Sequence, residues 1–246
     1  MSRIILIETS TSLCSVALSE NGAITSYRES SAPKAHASLT AVFVQEVLAE
    51  RNLTLAECDA ICVSKGPGSY TGLRVGVSTA KGLCFGSGKP LIAVGTLDTL
   101  VAQACTPNTP GVQDCTPEVI ARGETSWQSP YKYIIPMIDA RRMEVYTAVF
   151  ENGTQITETK PVIVDENSFT EYLDQGQCLF IGDGAGKCTD VIKHPNAHFC
   201  QCNPTASAML SPAMAALNEK RFEDVAYFEP FYLKEFVATV SKKKLF

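Results

Sequence analysis

Short apolar runs separated by polar turns predict β-strands early in the chain. The runs Arg3–Ile7 and Leu13–Leu18 flank a hydroxyl-rich turn, Thr9–Ser12, and together predict a β-hairpin. The string Glu20-Asn21-Gly22 predicts the next turn, because Asn and Gly tolerate positive φ. Two further short runs, at residues 59–63 and 90–94, predict buried strands.

Longer stretches predict helices over residues 35–51, 73–85 and 97–104. At about 100° per residue, the first helix carries two apolar arcs, which are Leu39, Val42, Phe43 and Val47 on one side and Ala37, Ala41, Val44 and Leu48 on the other. One stripe is enough to dock a surface helix on its own core, so the second arc predicts contact with another chain.

The second predicted helix carries a bare stripe. It follows the loop Gly66–Gly72, and Gly72, Gly76 and Ala80 recur at every fourth position. Such a stripe lets another backbone approach closely, and it favours packing against helix 35–51 or a partner over ligand binding.

The second half of the chain repeats the beginning. A predicted strand at Tyr133–Ile138 ends at Asp139, and a strand at Glu144–Phe150 runs into Glu151-Asn152-Gly153. Glu8 precedes the first Glu-Asn-Gly string by 12 positions, and Asp139 precedes the second by 12 positions. We interpret this repeat as an internal duplication that gives two α/β lobes, at residues 1–104 and 132–246. A proline-rich connection, residues 105–131, joins them, and a predicted helix at 206–220 could pack back on the first lobe.

Composition narrows the function classes. The chain has 246 residues, 45% hydrophobic and 19% charged, which excludes a disordered protein. Its net charge of −5 gives no broad attraction to nucleic acid or to anionic membrane. Apolar runs are too short to span a bilayer, and Glu8 interrupts the only candidate for a secretory signal. With ten cysteines expected to be reduced thiols, we predict a cytoplasmic protein without a membrane partner.

Several strings together resemble one family. They are Ile7–Thr11, Cys14–Leu18, Gly66–Gly76, Ala80–Leu83, Lys89–Val94, Asp139–Arg141, Glu144–Tyr146 and Pro230–Lys234. They resemble the TsaB (YeaZ) family over nearly the whole chain except about 105–131. The two-lobe arrangement is similar to the actin, Hsp70 and sugar-kinase (ribonuclease H-like) α/β fold, in which two facing turns hold the phosphates of ATP.

The resemblance implies a non-catalytic subunit. It would bind its paralogue TsaD, with TsaE, in making N6-threonylcarbamoyladenosine at position 37 of tRNAs that read ANN codons. TsaD would be the catalytic chain, and tRNA would be contacted only through the complex. Alone, the chain would form a homodimer. The resemblance and the helical faces point to one partner interface: His36, Leu39, Ala41, Phe43, Val44, Leu48, Gly72, Gly76 and Ala80.

The hydroxyl-rich turn is the candidate nucleotide element. Glu8, Thr9, Ser10, Thr11 and Ser12, with Asp139 on the second turn, would face phosphates in this fold class. The family usually has Asp at the first position, and the extra methylene of Glu8 argues against the usual Mg²⁺ geometry. The turn is therefore either a plain polar hairpin turn or a vestigial or shared nucleotide contact. We expect no tightly bound cofactor, with ATP or ADP at most at the complex interface.

The rival hypothesis is an enzyme of the same superfamily, an ATP-dependent kinase or an M22-type metalloprotease. A kinase should keep aspartate on both turns and a glycine motif in the second lobe, and Asp139 and Gly182–Gly184 fit this in part. TsaD-like proteins hold metal through His-x-x-x-His, but here the pair is His36 and Thr40, and a threonine cannot replace imidazole.

A second His/Cys cluster spans residues 194–202. His194, His198, Cys200 and Cys202 are potential zinc ligands, but Pro195 and the C-x-C spacing favour a loop entering a strand. Adventitious metal binding is the alternative. We predict no catalytic residue and no metal ligand in this chain.

Overall fold

Two sheets of matching strand order form the framework of the computed structural model, which describes residues 2–105 and 129–234. The first sheet contains β1 (Arg3–Glu8), β2 (Cys14–Glu20), β3 (Ala23–Ser30), β4 (Ala60–Gly66) and β5 (Leu91–Gly95). Its order is β3-β2-β1-β4-β5, with β2 antiparallel to β1 and β4 parallel to it. The predicted first hairpin is therefore confirmed.

Three helices belong to the first half of the chain. They are α1 (Ala35–Glu50), α2 (Tyr70–Ser87) and α3 (Thr96–Cys105), close to the predicted positions. The loop before α2 supplies its N-cap, because the Ser69 side chain accepts a hydrogen bond from Gly72 N. Gly88 adopts φ 69° and ends α2, a conformation that favours glycine.

The second half contains a larger sheet and two helices. Its strands are β6 (Tyr133–Asp139), β7 (Glu144–Thr147), β8 (Phe150–Glu151), β9 (Thr154–Gln155), β10 (Lys160–Ile163), β11 (Cys178–Ile181) and β12 (Ala197–Cys200). The helices are α4 (Thr170–Leu173) and α5 (Leu210–Asn218). The order β10-β7-β6-β11-β12, with the β8–β9 hairpin attached to β6, repeats the first sheet strand for strand.

The repeat extends to the turns. Glu8 and Asp139 are the last residues of β1 and β6, and both strands have one antiparallel and one parallel neighbour in the same places. Asn21 and Gly22 have φ of 53° and 79°, and Asn152 and Gly153 have 49° and 75°. Both Glu-Asn-Gly strings thus form the same left-handed turn, as a duplication requires.

Some boundaries differ from the sequence prediction. The predicted strand 144–150 is divided into β7 and β8, which pair with different parts of β6. Strand β3 was not predicted, because its positions are mostly half-buried and polar. The predicted helix at 206–220 is shorter, with a single 3₁₀ turn at Ser207–Met209 before α5.

The first sheet is covered on both faces, which explains the continuous apolar run in β1. One face packs against α1 and α2, and the other packs against Met209, Ala213 and Ala216 at the α5 end of the chain. Helix α3 packs on the second sheet, so each lobe supplies a helix to the other. In the described ranges 2–105 and 129–234, no helix is long and apolar enough to cross a membrane.

Candidate functional site

The first turn folds back on its own carboxylate. Glu8 is fully buried, and its Oε1 accepts hydrogen bonds from Ser10 N at 2.6 Å and from Ser64 Oγ at 2.8 Å. Its Oε2 has no hydrogen-bond partner among the described residues. Burial raises the pKa of Glu8 above its ordinary value, against the lowering effect of these hydrogen bonds. An anion-binding turn would offer the Ser10 N–H to a ligand, but here that N–H is hydrogen-bonded to Glu8 within the chain.

Helix α2 covers this turn. Ser69 N donates to Ser10 O at 2.6 Å, which holds the beginning of the helix against the turn. A Cβ placed on Gly72 would lie 2.1 Å from Thr9 O, and one on Gly76 would lie 2.1 Å from Thr9 Oγ1. These glycines are required because the helix lies directly on the turn.

Of the two predicted roles for the bare stripe, packing inside its own lobe agrees with the structure, and the partner surface does not. Gly72 and Gly76 contact the turn in their own lobe, and Ala80 is fully buried in the core between α1, α2 and the sheet. We correct the assignment of these three residues to a partner surface, because none of them is accessible. A spacing of four residues indicates a bare face and does not say what covers it.

The second turn is open and charged. Asp139 is exposed, and its Oδ1 accepts hydrogen bonds from Arg141 N at 2.9 Å and from Lys187 Nζ. Asp183 Oδ1 in turn accepts from Asp139 N at 2.9 Å. Burial raises the pKa of Asp183 to about 6, and the neighbouring charge of Asp139 acts in the same direction. Arg141 and Arg142 both adopt positive φ, 70° and 51°, which is uncommon for arginine.

Both turns line one cleft between the lobes, of about 690 Å³. The structure brings together the predicted residues Ser10, Thr11, Ser12, His36 and Asp139 at this cleft. Glu8 and Thr9 do not line it, because both are fully buried, with Thr9 lying against α2. Among the other lining residues are several that the predicted site did not include: Tyr70, Arg141, Tyr146, Asp183, Tyr232 and Lys234.

The cleft does not fit the phosphates and Mg²⁺ of a nucleotide in the manner of a kinase. The carboxylate that would lie beside the metal is Glu8, which is fully buried and hydrogen-bonded within the turn. Thr9 and Ser10 are also inaccessible, at 0% and 1% exposure. Thr11 Oγ1 and Ser10 Oγ have no hydrogen-bond partner among the described residues, but they are buried rather than presented on an open turn.

The histidine motif has no metal geometry. Thr40 Oγ1 donates to His36 O at 2.6 Å and lies 3.4 Å from Cys14 Sγ, so its hydroxyl is engaged within α1 and the core. Nowhere in residues 2–105 or 129–234 do three His, Cys, Asp or Glu side chains form a metal-binding group. In the 194–202 cluster, the His198 ring packs on the Tyr131 ring, with the two ring centroids 5.0 Å apart. Cys200 is disulfide-bonded, so the expectation that all ten cysteines are reduced is wrong.

The two-arc interpretation of α1 is also wrong. The structure buries Phe43 and Val47 from one arc together with Val44 and Leu48 from the other, in a single core. They are at most 8% exposed, so we correct the assignment of Phe43, Val44 and Leu48 to a partner interface. Leu39 is half-buried, and Ala41 is exposed.

Each of the two helices nevertheless exposes small and apolar residues. On α2, Ser78, Gly82 and Phe85 lie on one side, and Phe85 is 88% exposed. A Cβ on Gly82 would meet no atom within 4 Å. On α1, Ala37 and Ala41 are exposed, and so is Val42 at 39%. We call this set, Ala37, Ala41, Val42, Ser78, Gly82 and Phe85, the α1–α2 face.

Comparison with known proteins decides the family. The chain is 30% identical over 244 residues to the tRNA threonylcarbamoyladenosine biosynthesis protein TsaB of Escherichia coli, covering 96% of each chain. This chain belongs to the TsaB (YeaZ) family. YeaZ from Pseudomonas aeruginosa has the same fold, with a TM-score of 0.75 and 25% identity over 95% of this chain and 100% of that one.

The same comparison relates the family to TsaD. A model of the family described as TsaD, tRNA N6-adenosine threonylcarbamoyltransferase, matches residues 29–241. The tRNA N6-adenosine threonylcarbamoyltransferase of Bartonella bacilliformis is 46% identical over 67 residues, which are 27% of this chain and 18% of that protein. This chain thus shares part of its sequence with TsaD, and the predicted fold of two duplicated α/β lobes is confirmed by the repeated strand order.

Proposed function

We propose that this chain is a non-catalytic accessory subunit for forming N6-threonylcarbamoyladenosine at adenosine 37 of tRNAs that read ANN codons. Its relatives named TsaB are biosynthesis proteins of this nucleoside. The observation that carries the non-catalytic part is the first turn, in which Glu8 is fully buried and hydrogen-bonded to Ser10 N and Ser64 Oγ. A chain without an accessible carboxylate at this turn lacks the usual means of holding Mg²⁺ beside a phosphate.

The partner in this proposal is TsaD, and the contact is the α1–α2 face. Single exposed apolar residues are ordinary, but α1 and α2 pack on each other and both expose small or apolar side chains, with Phe85 88% exposed, which suits contact with a second helical pair. TsaD resembles this chain in sequence, so it offers equivalent helices. The same face would join two copies of this chain when TsaD is absent.

The remaining parts of the proposal follow from charge and from the cleft. A net charge of −5 supports contact with tRNA only through the complex. The complex would also include TsaE and would act in the cytoplasm, as the family resemblance implies. ATP or ADP would lie between subunits, because the first turn of this chain is closed to phosphate.

Two substitutions test the partner surface. Ser78→Asp with Phe85→Asp changes only exposed positions, so the variant should fold with the circular dichroism and melting temperature of the parent. It should fail to retain TsaD in a pull-down, and it should not support tRNA modification. The matched control is Ile163→Asp, on β10 of the other lobe, where the side chain is 75% exposed. Retained TsaD binding by the double variant, or its loss in the control, would refute the α1–α2 face.

The enzyme hypothesis makes a separate prediction. A kinase should bind ATP at micromolar concentration and hydrolyse it as an isolated chain. Isothermal titration with ATP, followed by a phosphate-release assay, should detect neither with this chain. Binding together with hydrolysis would overturn the non-catalytic assignment, whatever the outcome of the TsaD pull-down.

A further inference from the structure

The last part of the described chain runs across both lobes without forming a helix or strand. It comprises residues 223–234, which we call the C-terminal strap. The strap begins at the edge of the first sheet, where Glu223 forms an isolated bridge with Leu91. It ends beside β7 of the second lobe, at Lys234. Four consecutive strap residues, 231–234, line the interlobe cleft.

The strap is attached to the first lobe through its backbone. Lys81 Nζ, on α2, donates to Ala226 O at 3.1 Å and to Phe228 O at 3.0 Å. Farther along, Phe231 N donates to Lys65 O at 2.7 Å, just before the glycine loop. Val225 and Phe228 also pack against the core between α1, α2 and the first sheet.

An aromatic cluster fastens the strap at the opening of the cleft. The rings of Tyr70 and Tyr232 have their centroids 4.9 Å apart. Arg74 places its guanidinium 4.1 Å from the centre of the Tyr70 ring, and its Nε donates to Tyr232 OH at 3.4 Å. Tyr232 therefore joins the strap to the beginning of α2.

A charge pair makes the second attachment, on the other lobe. Lys234 Nζ binds Glu144 Oε2 on β7, and it lies 5.7 Å from the centre of the Tyr146 ring. Tyr232 and Lys234 are only two residues apart but contact different lobes. The strap thus closes one side of the cleft between the two turns.

We propose that the end of the C-terminal strap, residues 231–234, is a releasable lid over the interlobe cleft, with the Tyr232 cluster and the Lys234–Glu144 pair as its two side-chain fastenings, while residues 223–228 stay anchored on the first lobe. Both fastenings are partly solvated, and exposed ion pairs and single aromatic contacts are individually weak. The lobes themselves are held by large buried cores. The lid can therefore open locally while both sheets remain folded.

Hydrogen exchange on the isolated full-length chain tests the first fastening. Tyr232→Ala removes the ring contact and the hydrogen bond, and we expect the Phe231 amide to exchange about tenfold faster. Amides of β1 should keep their parent rates. Tyr232→Phe keeps the ring and should have a smaller effect. The control is Tyr227→Ala, which changes a strap residue that is 85% exposed.

The second fastening is tested by charge. Lys234→Glu faces Glu144 with a like charge and should also accelerate exchange at Phe231, whereas Lys234→Arg should exchange as the parent does. Unchanged exchange in both Tyr232→Ala and Lys234→Glu would overturn the lid. So would acceleration that extends equally to β1, because the whole chain would then be unfolding. No partner takes part, so these results are independent of whether TsaD binds.

Discussion

Replacing Glu8 with Gln is expected to stabilise the chain at neutral pH. The carboxyl is fully buried, and only its Oε1 has partners, Ser10 N and Ser64 Oγ, among the described residues. Burial holds the pKa of Glu8 above its ordinary value of 4.5. Glutamine keeps an acceptor oxygen for these donors and has no charge to bury. Its amide group replaces the Oε2 atom, which has no hydrogen-bond partner in the described part of the chain.

The sign of the pH dependence follows from linkage. A carboxyl whose pKa is raised by folding contributes stability that is complete below its unfolded pKa and is lost as the pH rises through its folded pKa. The parent should therefore lose stability above pH 4.5. An unsatisfied buried polar group costs about 1–3 kcal/mol. At roughly 2–4 °C per kcal/mol for a chain of this length, Glu8→Gln should raise the melting temperature by about 2–12 °C at pH 7. Near pH 4 the difference should vanish.

Thermal unfolding, followed by circular dichroism between pH 4 and 8, measures the difference in melting temperature between the Glu8→Gln variant and the parent. The control is Glu158→Gln at an exposed position, which should stay within about 0.5 kcal/mol of the parent. A Gln variant that melts below the parent at pH 7, or that shows the same pH dependence, would refute this account of Glu8. Reconstituted tRNA modification should fall only modestly. A fall as large as omitting the chain would show that Glu8 takes part in chemistry.

Two further predictions concern the turns. Gly72→Ala places a Cβ 2.1 Å from Thr9 O and should destabilise the chain by about 1–3 kcal/mol in denaturant unfolding, whereas Gly82→Ala, with open space around its Cβ, should stabilise it by about 0.5–1 kcal/mol. Equal effects of the two would contradict the close packing of α2 on the first turn. Asp183 has its pKa raised to about 6, so its contribution to stability should be lost as the pH rises from 3.8 through 6. In the Asp183→Asn variant, the melting temperature should therefore change less with pH over that interval. If it changes with pH as it does in the parent, Asp183 is not the group whose titration affects stability.

Local patterns in the sequence predict most of the framework. The two hairpins, the carboxylate at the end of each first strand and both Glu-Asn-Gly turns depend on residues close in sequence, and all appear as predicted. Strand β3 was missed because it lies at a sheet edge, where half-buried polar residues weaken the alternation.

The site was predicted less well, because its contacts join distant parts of the chain. The helical wheel of α1 separates Phe43 from Val44, but a helix that packs against both a sheet and α2 buries a wide stripe that contains both. The strap contact between Arg74 and Tyr232 spans 158 positions and leaves no periodic signal. The sequence analysis assigned His36 to a partner surface. In the structure His36 lines the interlobe cleft instead, because α1 begins beside the first turn.

The sealed turn and the exposed helical face are two sides of α2. On one side, Gly72 and Gly76 lie against Thr9, so α2 rests directly on the turn. On the other side, Ser78, Gly82 and Phe85 are left accessible. The turn supports the helix through the Thr9 carbonyl and hydroxyl, while its own Thr9 N and Ser10 N donate to Ser64 Oγ and Glu8 Oε1. Closing the turn thus holds α2 rigidly on the sheet, and a rigid helix loses less conformational freedom when a partner covers its outer face. The features that argue against catalysis are therefore the same features that favour a binding role.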